Sequence, residues 1–371
     1  MDHSHHYIAS ASALQALCEQ FATSRWLAID TEFMRERTYY PRFCLLQVSD
    51  GDTIACIDPT ECGDLTPLWR LLHDPERVKV LHGGRQDLEL LLQQSGALPL
   101  PLFDTQIAAA LLGQGDQIGY GPLVEAVLGV TLAKEHARTD WCSRPLSAAQ
   151  LAYAADDVRY LGPLYMQQLA ELTRCDRHHW LDDDMTRLSD VASYQNPPEA
   201  AWRRVKGGGR LRGAQWEALR RLAAWREEQA QQSNRPRRWI MKDETLLALA
   251  HELPTTPTAL LQLRLERATY ERHGVHLLQL LQASESESAL PAPTVLPPLN
   301  RHQEQLVSQL MQQLRERCEA QQVAMAMVAN RRDLERLVRG DRDLPLLRSW
   351  RAAVAGDHLL QWLLASEGMA G

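Results

Sequence analysis

The chain has 371 residues, of which 45% are apolar and 23% charged, and its formal net charge is −7. This length is enough for two or three domains that each bury a core. No apolar stretch reaches the roughly eighteen residues that a membrane-spanning helix needs, and residues 1–6 lack the basic start and apolar stretch of a signal peptide. The composition therefore favours a soluble protein with no membrane partner, and we expect it in the cytoplasm.

Charge is divided unequally along the chain. Residues 1–195 carry 15 Lys/Arg and 27 Asp/Glu, a balance of −12, whereas residues 196–371 carry 25 and 20, a balance of +5. The basic excess is concentrated in residues 199–242, where 12 Lys/Arg face 4 Asp/Glu. An acidic half would approach a polyanion poorly without bound cations, while a basic partner could hold phosphates. The alternative is a chance asymmetry between two solvated surfaces.

The seven cysteines are an odd number, are widely spaced and form no C-x-x-C pair. This pattern predicts free thiols in a reducing cytosol, and it argues against a disulfide framework or a zinc site.

The first half of the chain is predicted to contain strands followed by helices. Apolar runs predict strands at 26–30, 43–48, 53–57 and 78–82, and helical spacing predicts helices at 65–73, 86–94, 104–112, 123–128 and 147–172. Asp50-Gly51 between the second and third strands is a strong hairpin signal, so these strands should be antiparallel neighbours. Three strands, a helix, another strand and then mostly helices predict an α/β layer with a mixed sheet.

The second half is predicted to be helical, with breaks on both sides of a first helical module. One break is the Tyr-Gln-Asn-Pro-Pro run at 194–198, and the other is the serine- and proline-rich stretch at 284–298, which we expect to be a linker rather than helix. The predicted organisation is a first domain at 1–195, a helical domain at 205–285, a linker at 286–300 and a second, degenerate copy of the helical domain at 301–371.

Carboxylates occur in three clusters along the first domain. Asp30 and Glu32 lie two apart at the end of a predicted strand, so their side chains share one face of the sheet. Asp87 follows a His-Gly-Gly turn, and Asp157 lies on a later helix. Four such carboxylates are the ligand set expected for two divalent cations, which about 3.5–4 Å apart can clamp the attacking and leaving oxygens of a phosphodiester. Individually, Asp30 and Glu32 could be a solvated strand end, and Asp87 could simply favour the helix dipole.

Tyr153 accompanies the last cluster. Tyr153 and Asp157 are four apart on a predicted helix and therefore share a face. The carboxylate can bind a metal while the phenol, with a usual pKa near 10, orients the attacking water. Asp156 is the competing ligand, but it is one position off this face, so we predict that it faces solvent.

At these residues the chain strongly resembles the ribonuclease D family of 3′→5′ exonucleases. The three matching motifs are Ile-Asp-Thr-Glu-Phe at 29–33, Leu-His-Gly-Gly-Arg-Gln-Asp-Leu at 81–88 and Tyr-Ala-Ala-Asp-Asp-Val at 153–158. The resemblance covers roughly residues 20–190 and implies a ribonuclease-H-like fold, two Mg²⁺ or Mn²⁺ ions and release of 5′-mononucleotides from an RNA 3′ end. By motif, it implies a catalytic site in which four acids bind metal and a tyrosine positions the water: Asp30, Glu32, Asp87, Asp157 and Tyr153.

The resemblance also suggests substrate contacts. Phe33 and Met34 directly follow the first acids, where they could pack against the terminal bases or equally form core. His82 could contact substrate or simply close its strand, and we favour the contact because it would lie beside the metals. Arg138 and Trp141 are candidates for contacts to phosphate and base.

The second half resembles the helicase-and-RNase-D C-terminal (HRDC) domain, a small helical nucleic-acid-binding module. The resemblance lies in residues 216–225 and 236–246. The chain departs from the family at 263–266, where a glycine-containing turn is usual, which argues against backbone amide contacts to phosphate there. Residues 301–371 resemble the module more faintly.

Together these resemblances imply a cytoplasmic exoribonuclease that trims structured RNA such as tRNA precursors and needs no obligatory protein partner. The helical domains would hold the RNA body while its 3′ strand enters the metal site. One alternative is a DNA 3′→5′ exonuclease, because the acids alone cannot discriminate the 2′-hydroxyl. The other is a catalytically silent RNA-binding scaffold, although the presence of all four acids and the tyrosine argues against it.

Overall fold

The computed structural model describes residues 5–132, 139–263, 265–286 and 297–368. The chain divides into two compact units. The first unit consists of Met1–Phe33, Phe43–Ser193 and Pro298–Gly371, and the second of Met34–Arg42 and Tyr194–Pro297. The C-terminal helices therefore share a unit with the first domain, and a short segment from the first half shares a unit with the HRDC-like helices.

A six-stranded sheet forms the centre of the first unit. Its strands are β1 (His6–Ile8), β2 (Trp26–Met34), β3 (Arg42–Ser49), β4 (Ile54–Ile57), β5 (Val78–Leu81) and β6 (Leu102–Asp104). Their order is β1-β4-β3-β2-β5-β6. β3 and β4 are antiparallel, whereas β1 with β4, β2 with β5 and β5 with β6 are parallel. The predicted mixed sheet is confirmed, and the short strands β1 and β6 are additional to it.

The predicted hairpin between β3 and β4 is also confirmed. Gly51 has φ of +100°, which a glycine adopts without strain. The Asp50 carboxylate accepts from the backbone N–H groups of Asp52 (3.1 Å) and Thr53 (2.9 Å). The Asp-Gly pair thus closes the turn through both its side chain and its backbone freedom.

Helices cover the sheet. They are α1 (Ala11–Gln20), α2 (Pro59–Cys62), α3 (Thr66–Leu72), α4 (Arg85–Ser95), α5 (Thr105–Leu111), α6 (Tyr120–Leu128), α7 (Ala148–Arg159), α8 (Leu161–Arg174) and α9 (His178–Leu188). The prediction of one helix over 147–172 was wrong, because α7 ends at Arg159 and α8 begins at Leu161. Helices α1, α2 and α9 were not predicted.

The second unit contains a bundle of helices. They are α10 (Gly213–Gln232), α11 (Arg237–Ile240), α12 (Asp243–Glu252), α13 (Pro257–Gln262) and α14 (Arg267–Ser286). A buried core that includes Trp216, Leu222 and Leu277 joins them. The expectation that residues from 284 onward leave the helix was wrong, because α14 continues to Ser286 and the Ser284 hydroxyl donates to the Leu280 carbonyl at 2.7 Å. Residues 287–296 of the predicted linker lie outside the described residues.

The C-terminal helices pack within the first unit. They are α15 (Arg301–Ala320), α16 (Met325–Val328), α17 (Arg331–Val338), α18 (Ser349–Arg351) and α19 (Asp357–Gly368). Arg351 is buried and donates to both carboxylate oxygens of Asp184 on α9, each at 2.8 Å. The rings of Trp180 and Trp350 stack with centroids 4.5 Å apart. A buried ion pair and an aromatic stack therefore attach these helices to the first domain.

The prediction that all seven cysteines are free thiols was wrong for two of them. Cys44 on β3 and Cys142 form a disulfide, whereas Cys18, Cys56, Cys62, Cys175 and Cys318 are free. The two cysteines are 98 positions apart, so the sequence does not reveal that they lie close together. None of the helices in the described part of the chain combines the length and apolar character that a bilayer crossing requires.

Candidate active site

Strand β2 carries the first two acids. Its residues Leu27 to Ile29 are buried and fix it in the centre of the sheet. The strand runs on to Met34, so Asp30 and Glu32 lie within it rather than at its end. Their spacing of two places both carboxylates on one face.

Helix α7 carries the partner of these acids. The helix begins at a capping box, in which Ser147 and Gln150 satisfy each other's backbone N–H groups. It places Asp157 so that one carboxylate oxygen from each of Asp30, Glu32 and Asp157 lies within 4.8 Å of the others. Three of the four predicted ligands therefore converge.

Asp87 lies beside this group in the first turn of α4. Its carboxylate accepts a short hydrogen bond from the hydroxyl of Thr31, the residue between Asp30 and Glu32. Its charge contributes to the raised pKa of both Asp30 and Glu32. The fourth acid is thus close enough to act electrostatically on the cluster, and Thr31 fixes its orientation.

The turn before Asp87 requires its two glycines. Gly83 has φ of +61°, and a Cβ on Gly84 would lie 2.6 Å from the Leu81 side chain. The Asp104 carboxylate, at the end of β6, accepts from the N–H groups of Gly83 (3.0 Å) and Gly84 (2.9 Å). Asp104 also caps α5, so this one side chain fixes two adjacent turns.

The carboxyl groups of the cluster resist ionisation. Burial, followed by the neighbouring negative charges, raises the pKa of Glu32 to about 9 and that of Asp30 well above its usual value. Burial and the charges of Asp156 and Asp87 raise the pKa of Asp157 to about 7. Burial also raises the pKa of Asp87, although the Thr31 hydrogen bond opposes this. Collecting negative charge in a partly desolvated site is unfavourable without a cation.

The donor set fits a divalent metal. Within the described ranges, no Lys or Arg forms an ion pair with Asp30, Glu32 or Asp157. Carboxylate oxygens are the ligands that hard divalent cations such as Mg²⁺ and Mn²⁺ prefer. A bound cation would supply the counter-charge that the described residues around the cluster do not provide.

Tyr153 lies one helical turn before Asp157. Burial and the nearby charges of Asp157, Glu32 and Asp30 hold its pKa far above the ordinary phenol value, so the hydroxyl stays protonated. The ring of Trp141 lies 6.1 Å from that of Tyr153, centroid to centroid, and Trp141 is only 3% exposed. Trp141 therefore lies against Tyr153 rather than presenting an open stacking face.

The other predicted substrate contacts differ in setting. His82 is partly buried, its Nε2 lies 3.0 Å from the Ile118 carbonyl and its Nδ1 lies 2.9 Å from the Thr105 hydroxyl. Burial lowers the pKa of His82, and its Nε2 donates to the Ile118 carbonyl. Phe33 and Met34 are half-buried, and Met34 belongs to the second unit. Arg138 lies outside the described residues.

Sequence reasoning missed Tyr120 at the start of α6. Its hydroxyl donates to the Asp156 carbonyl (2.9 Å) and accepts from the N–H of Tyr160 (3.1 Å). It thereby fixes the end of α7, where Asp157 lies, but no motif in the sequence marks it. The Asp156 carboxylate pairs with Arg159 at 2.7 Å, which provides it with a partner other than a metal.

Comparisons with known proteins agree with this geometry. Residues 5–173 match the family model for 3′-5′ exonucleases, and residues 215–281 match the model for the HRDC domain. The chain is 40% identical over 362 residues to the ribonuclease D of Acidiphilium cryptum, spanning 95% of this chain and 92% of that protein. It is 43% identical over 355 residues to the ribonuclease D of Sphingobium indicum, spanning 94% and 91%.

Among solved structures, the chain is similar to Escherichia coli RNase D, described as an exoribonuclease involved in structured RNA processing. The TM-score is 0.87 at 32% identity, and the match covers 98% of this chain and 99% of that one. The predicted order of an α/β exonuclease domain and an HRDC domain is confirmed.

Proposed function

The chain belongs to the ribonuclease D family and is a 3′→5′ exoribonuclease, and from this premise we propose that it trims the 3′ ends of structured RNA. Precursors of tRNA are the proposed substrate class, and 5′-mononucleotides are the proposed products. The similar E. coli enzyme, described as acting in structured RNA processing, supports this choice of substrate. We also propose that it acts in the cytoplasm, where tRNA precursors of bacteria such as its relatives are found.

The observation that carries the proposal is the convergence of acids from separate motifs. Asp30, Glu32 and Asp157 approach within 4.8 Å, and Asp87 contributes its charge to the same cluster. These four residues would hold two Mg²⁺ or Mn²⁺ ions. When bound, such ions supply the Lewis acidity that makes water nucleophilic near neutral pH and stabilise the charge that develops on the phosphate.

Tyr153 would act on the attacking water. Because its pKa is raised, the phenol keeps its proton and cannot serve as a base at neutral pH. Its hydroxyl can instead hydrogen-bond the water and direct it at the phosphorus of the last phosphodiester. The water oxygen forms the new bond to phosphorus, the bond from phosphorus to the penultimate O3′ breaks, and that O3′ takes up a proton. The product is a 5′-mononucleotide and an RNA shortened by one residue.

Several residues would guide the RNA end into this site. Phe33 and Met34 follow the metal-binding acids on β2 and would pack against the terminal bases. His82 and Arg138 are proposed contacts to the RNA end. For Trp141, whose ring is buried beside Tyr153, we propose a contribution to substrate binding through the position of that tyrosine.

The helical modules would hold the RNA body. The HRDC domain includes most of residues 199–242, the most basic stretch of the chain. We further propose that residues 301–371 are a degenerate second copy. Helices of 20, 4 and 10 residues open the HRDC domain, and helices of 20, 4 and 8 residues follow in the same order from Arg301.

The direct test is the Asp30→Asn protein with Mg²⁺ and a 5′-labelled RNA that carries a structured body and a 3′ extension. We expect the one-nucleotide ladder of the wild-type protein to disappear, because the substitution removes a ligand charge while keeping the side-chain shape. Asp52→Asn is the matched control, since Asp52 is exposed in the β3–β4 turn. Undiminished laddering by Asp30→Asn would refute the assignment of the metal ligands.

Two further comparisons in the same assay define the substrate and the cofactor. A DNA of matched sequence should be degraded more slowly if the enzyme prefers RNA, and equal rates would favour the DNA exonuclease alternative. A chelator should stop mononucleotide release, and adding Mg²⁺ or Mn²⁺ in excess should restore it.

A further inference from the structure

A short segment follows directly on the strand that carries the first two acids. Strand β2 ends at Met34, and Met34–Arg42 then belongs to the second unit together with the HRDC helices. The sequence gives no reason for this assignment, because the segment lies far from those helices along the chain. Its contacts explain why it packs there.

Tyr39 makes most of these contacts. Its hydroxyl donates a short hydrogen bond to Glu227 on α10. The same oxygen accepts from Arg237 at 3.0 Å and from Gln231 at 3.2 Å. The Arg237 guanidinium carbon also lies 4.7 Å from the centroid of the Tyr39 ring, within the range of a cation–π interaction. One side chain is therefore held by four contacts from two helices.

Glu227 is the centre of this network. Its side chain is 1% exposed and accepts two hydrogen bonds from Arg237, at 2.5 and 2.6 Å. Burial alone would raise the pKa of Glu227, but the hydrogen bonds from Arg237 and Tyr39 outweigh it and leave the pKa below its usual value. The acid is therefore charged and fully engaged, and it gives Tyr39 a fixed anchoring point.

A second contact limits the rotation of the segment. The backbone N–H of Tyr40 donates to the Asn234 side chain at 3.0 Å. Asn234 has φ of +47° just after the end of α10, a conformation that asparagine tolerates. Two consecutive residues are thus held, one through its side chain and one through its backbone.

We propose that Tyr39 is a positioning residue for the exonuclease reaction, anchored by Glu227 and Arg237. Anchoring a segment this close in the chain to Asp30 and Glu32 restricts where β2 can end and how its carboxylates are presented. The HRDC domain then contributes to the geometry of the metal-binding strand as well as to RNA binding. This inference deepens the proposed function and rests on it.

The test separates positioning from RNA holding by using a very short substrate. A single-stranded RNA of about four nucleotides supplies a 3′ end but no RNA body for a remote module to hold. We expect Tyr39→Phe to lower kcat on this substrate about tenfold while KM changes less than about twofold, because small displacements of catalytic groups reduce turnover strongly. Tyr40→Phe is the matched control, since it deletes a hydroxyl from the neighbouring ring and keeps the backbone contact to Asn234.

A second variant distinguishes positioning from plain stability. Glu227→Gln keeps an acceptor for the Tyr39 hydroxyl but loses the charge that pairs with Arg237. It should lower the melting temperature more than Tyr39→Phe does, yet lower kcat on the short RNA less. That opposite ranking of stability and kcat supports the proposal.

Two results would overturn it. One is an unchanged kcat of Tyr39→Phe on the short RNA, and the other is a kcat that follows the loss of stability across both variants. Wild-type protein is measured alongside with Mg²⁺. If it releases no mononucleotide, the proposed function fails, and the inference fails with it.

Discussion

Carboxylates at two places on or beside the same sheet behave in opposite ways. Asp58, which follows β4, is 0% exposed and pairs with Arg144 and Tyr7. Burial alone would raise its pKa, but these hydrogen bonds and the backbone N–H of Glu61 leave it lowered. The pKa values of Asp30 and Glu32, on β2, are raised.

The difference lies in the source of the counter-charge. At Asp58 the protein supplies its own cation, so the carboxylate stabilises the fold. At the acid cluster the neighbouring side chains add negative charge, which lowers stability in the absence of metal and would favour binding of a cation from solution. A buried acid is therefore a functional candidate when its neighbours fail to neutralise it.

The largest expected effect comes from removing a charge in the cluster. Asp157→Asn should reduce mononucleotide release about a thousandfold or more, equivalent to roughly 4 kcal/mol of transition-state stabilisation. Without metal, however, its free energy of unfolding at pH 8 should equal or exceed that of the wild type, because one repulsive charge is gone. Chemical denaturation in a chelator measures this. A clear loss of stability would mean that Asp157 is a structural acid like Asp58.

The opposite behaviour is expected at Asp58. Asp58→Ala should lower the free energy of unfolding by about 3 kcal/mol, because it removes the carboxylate that pairs with the Arg144 guanidinium and that caps α2. Activity per folded molecule should change much less than in Asp157→Asn. Asp52→Ala, an exposed acid nearby in the chain, is the control for losing a negative charge.

A smaller effect is expected when the acids are kept and their hydroxyl neighbour is removed. Tyr153→Phe should lower kcat about a hundredfold, roughly 2.7 kcal/mol, because the attacking water loses its orienting partner. Binding of Mn²⁺, followed by titration calorimetry, should be unchanged. Weaker Mn²⁺ binding would mean that the phenol supports the metal site rather than the water.

The smallest effect is the pH dependence of stability in metal-free protein. The acids of the cluster have folded pKa values above their unfolded values, up to about 7 for Asp157 and about 9 for Glu32. Their contribution is fully present below about pH 4 and is lost as pH rises towards 9. Asp58, with a lowered pKa, contributes above pH 4 and loses that contribution in acid.

Melting curves in a chelator should therefore show a melting temperature that falls as the pH rises from 6 to 9. Excess Mg²⁺ should flatten the decline, because the cation neutralises the ionised acids. Asp157→Asn should flatten it as well, without metal. A decline that is the same in all three conditions would place its origin outside the cluster.

Local motifs in the sequence pointed to the acids but not to the residues that hold them in place. Asp30, Glu32, Asp87, Asp157 and Tyr153 lie in local motifs, and short-range spacing assigned them to strand or helix. Strand β6 has only three residues, too few for a periodic pattern, so the hydrogen bonds from the Gly83-Gly84 turn to Asp104 at its end were not predicted.

Contacts between residues far apart in the chain could not be predicted from the sequence, for a physical reason. Cys44 and Cys142 are 98 positions apart, and Tyr39 and Glu227 are 188 apart. The neighbouring sequence does not distinguish these side chains from solvent-exposed ones, because the partner of each comes within contact distance only when the chain folds. The end of the α14 helix was misjudged for a different, local reason: the serine-rich composition suggested a linker, but the Ser284 hydroxyl donates to the Leu280 carbonyl within the helix.

The attachment of the C-terminal helices has a practical consequence for truncated versions of this enzyme. Cutting the chain after the HRDC domain would remove Arg351 from Asp184 and uncover one face of Trp180. Among the described residues, Asp184 would then keep as its ion-pair partner only Arg187, whose side chain is more than half exposed. Low activity of such a shortened protein would then result from a destabilised exonuclease domain. It could be misread as the loss of RNA binding by the C-terminal helices. Point changes on the outer surface of α15 or α17 are the safer way to ask what this tail does.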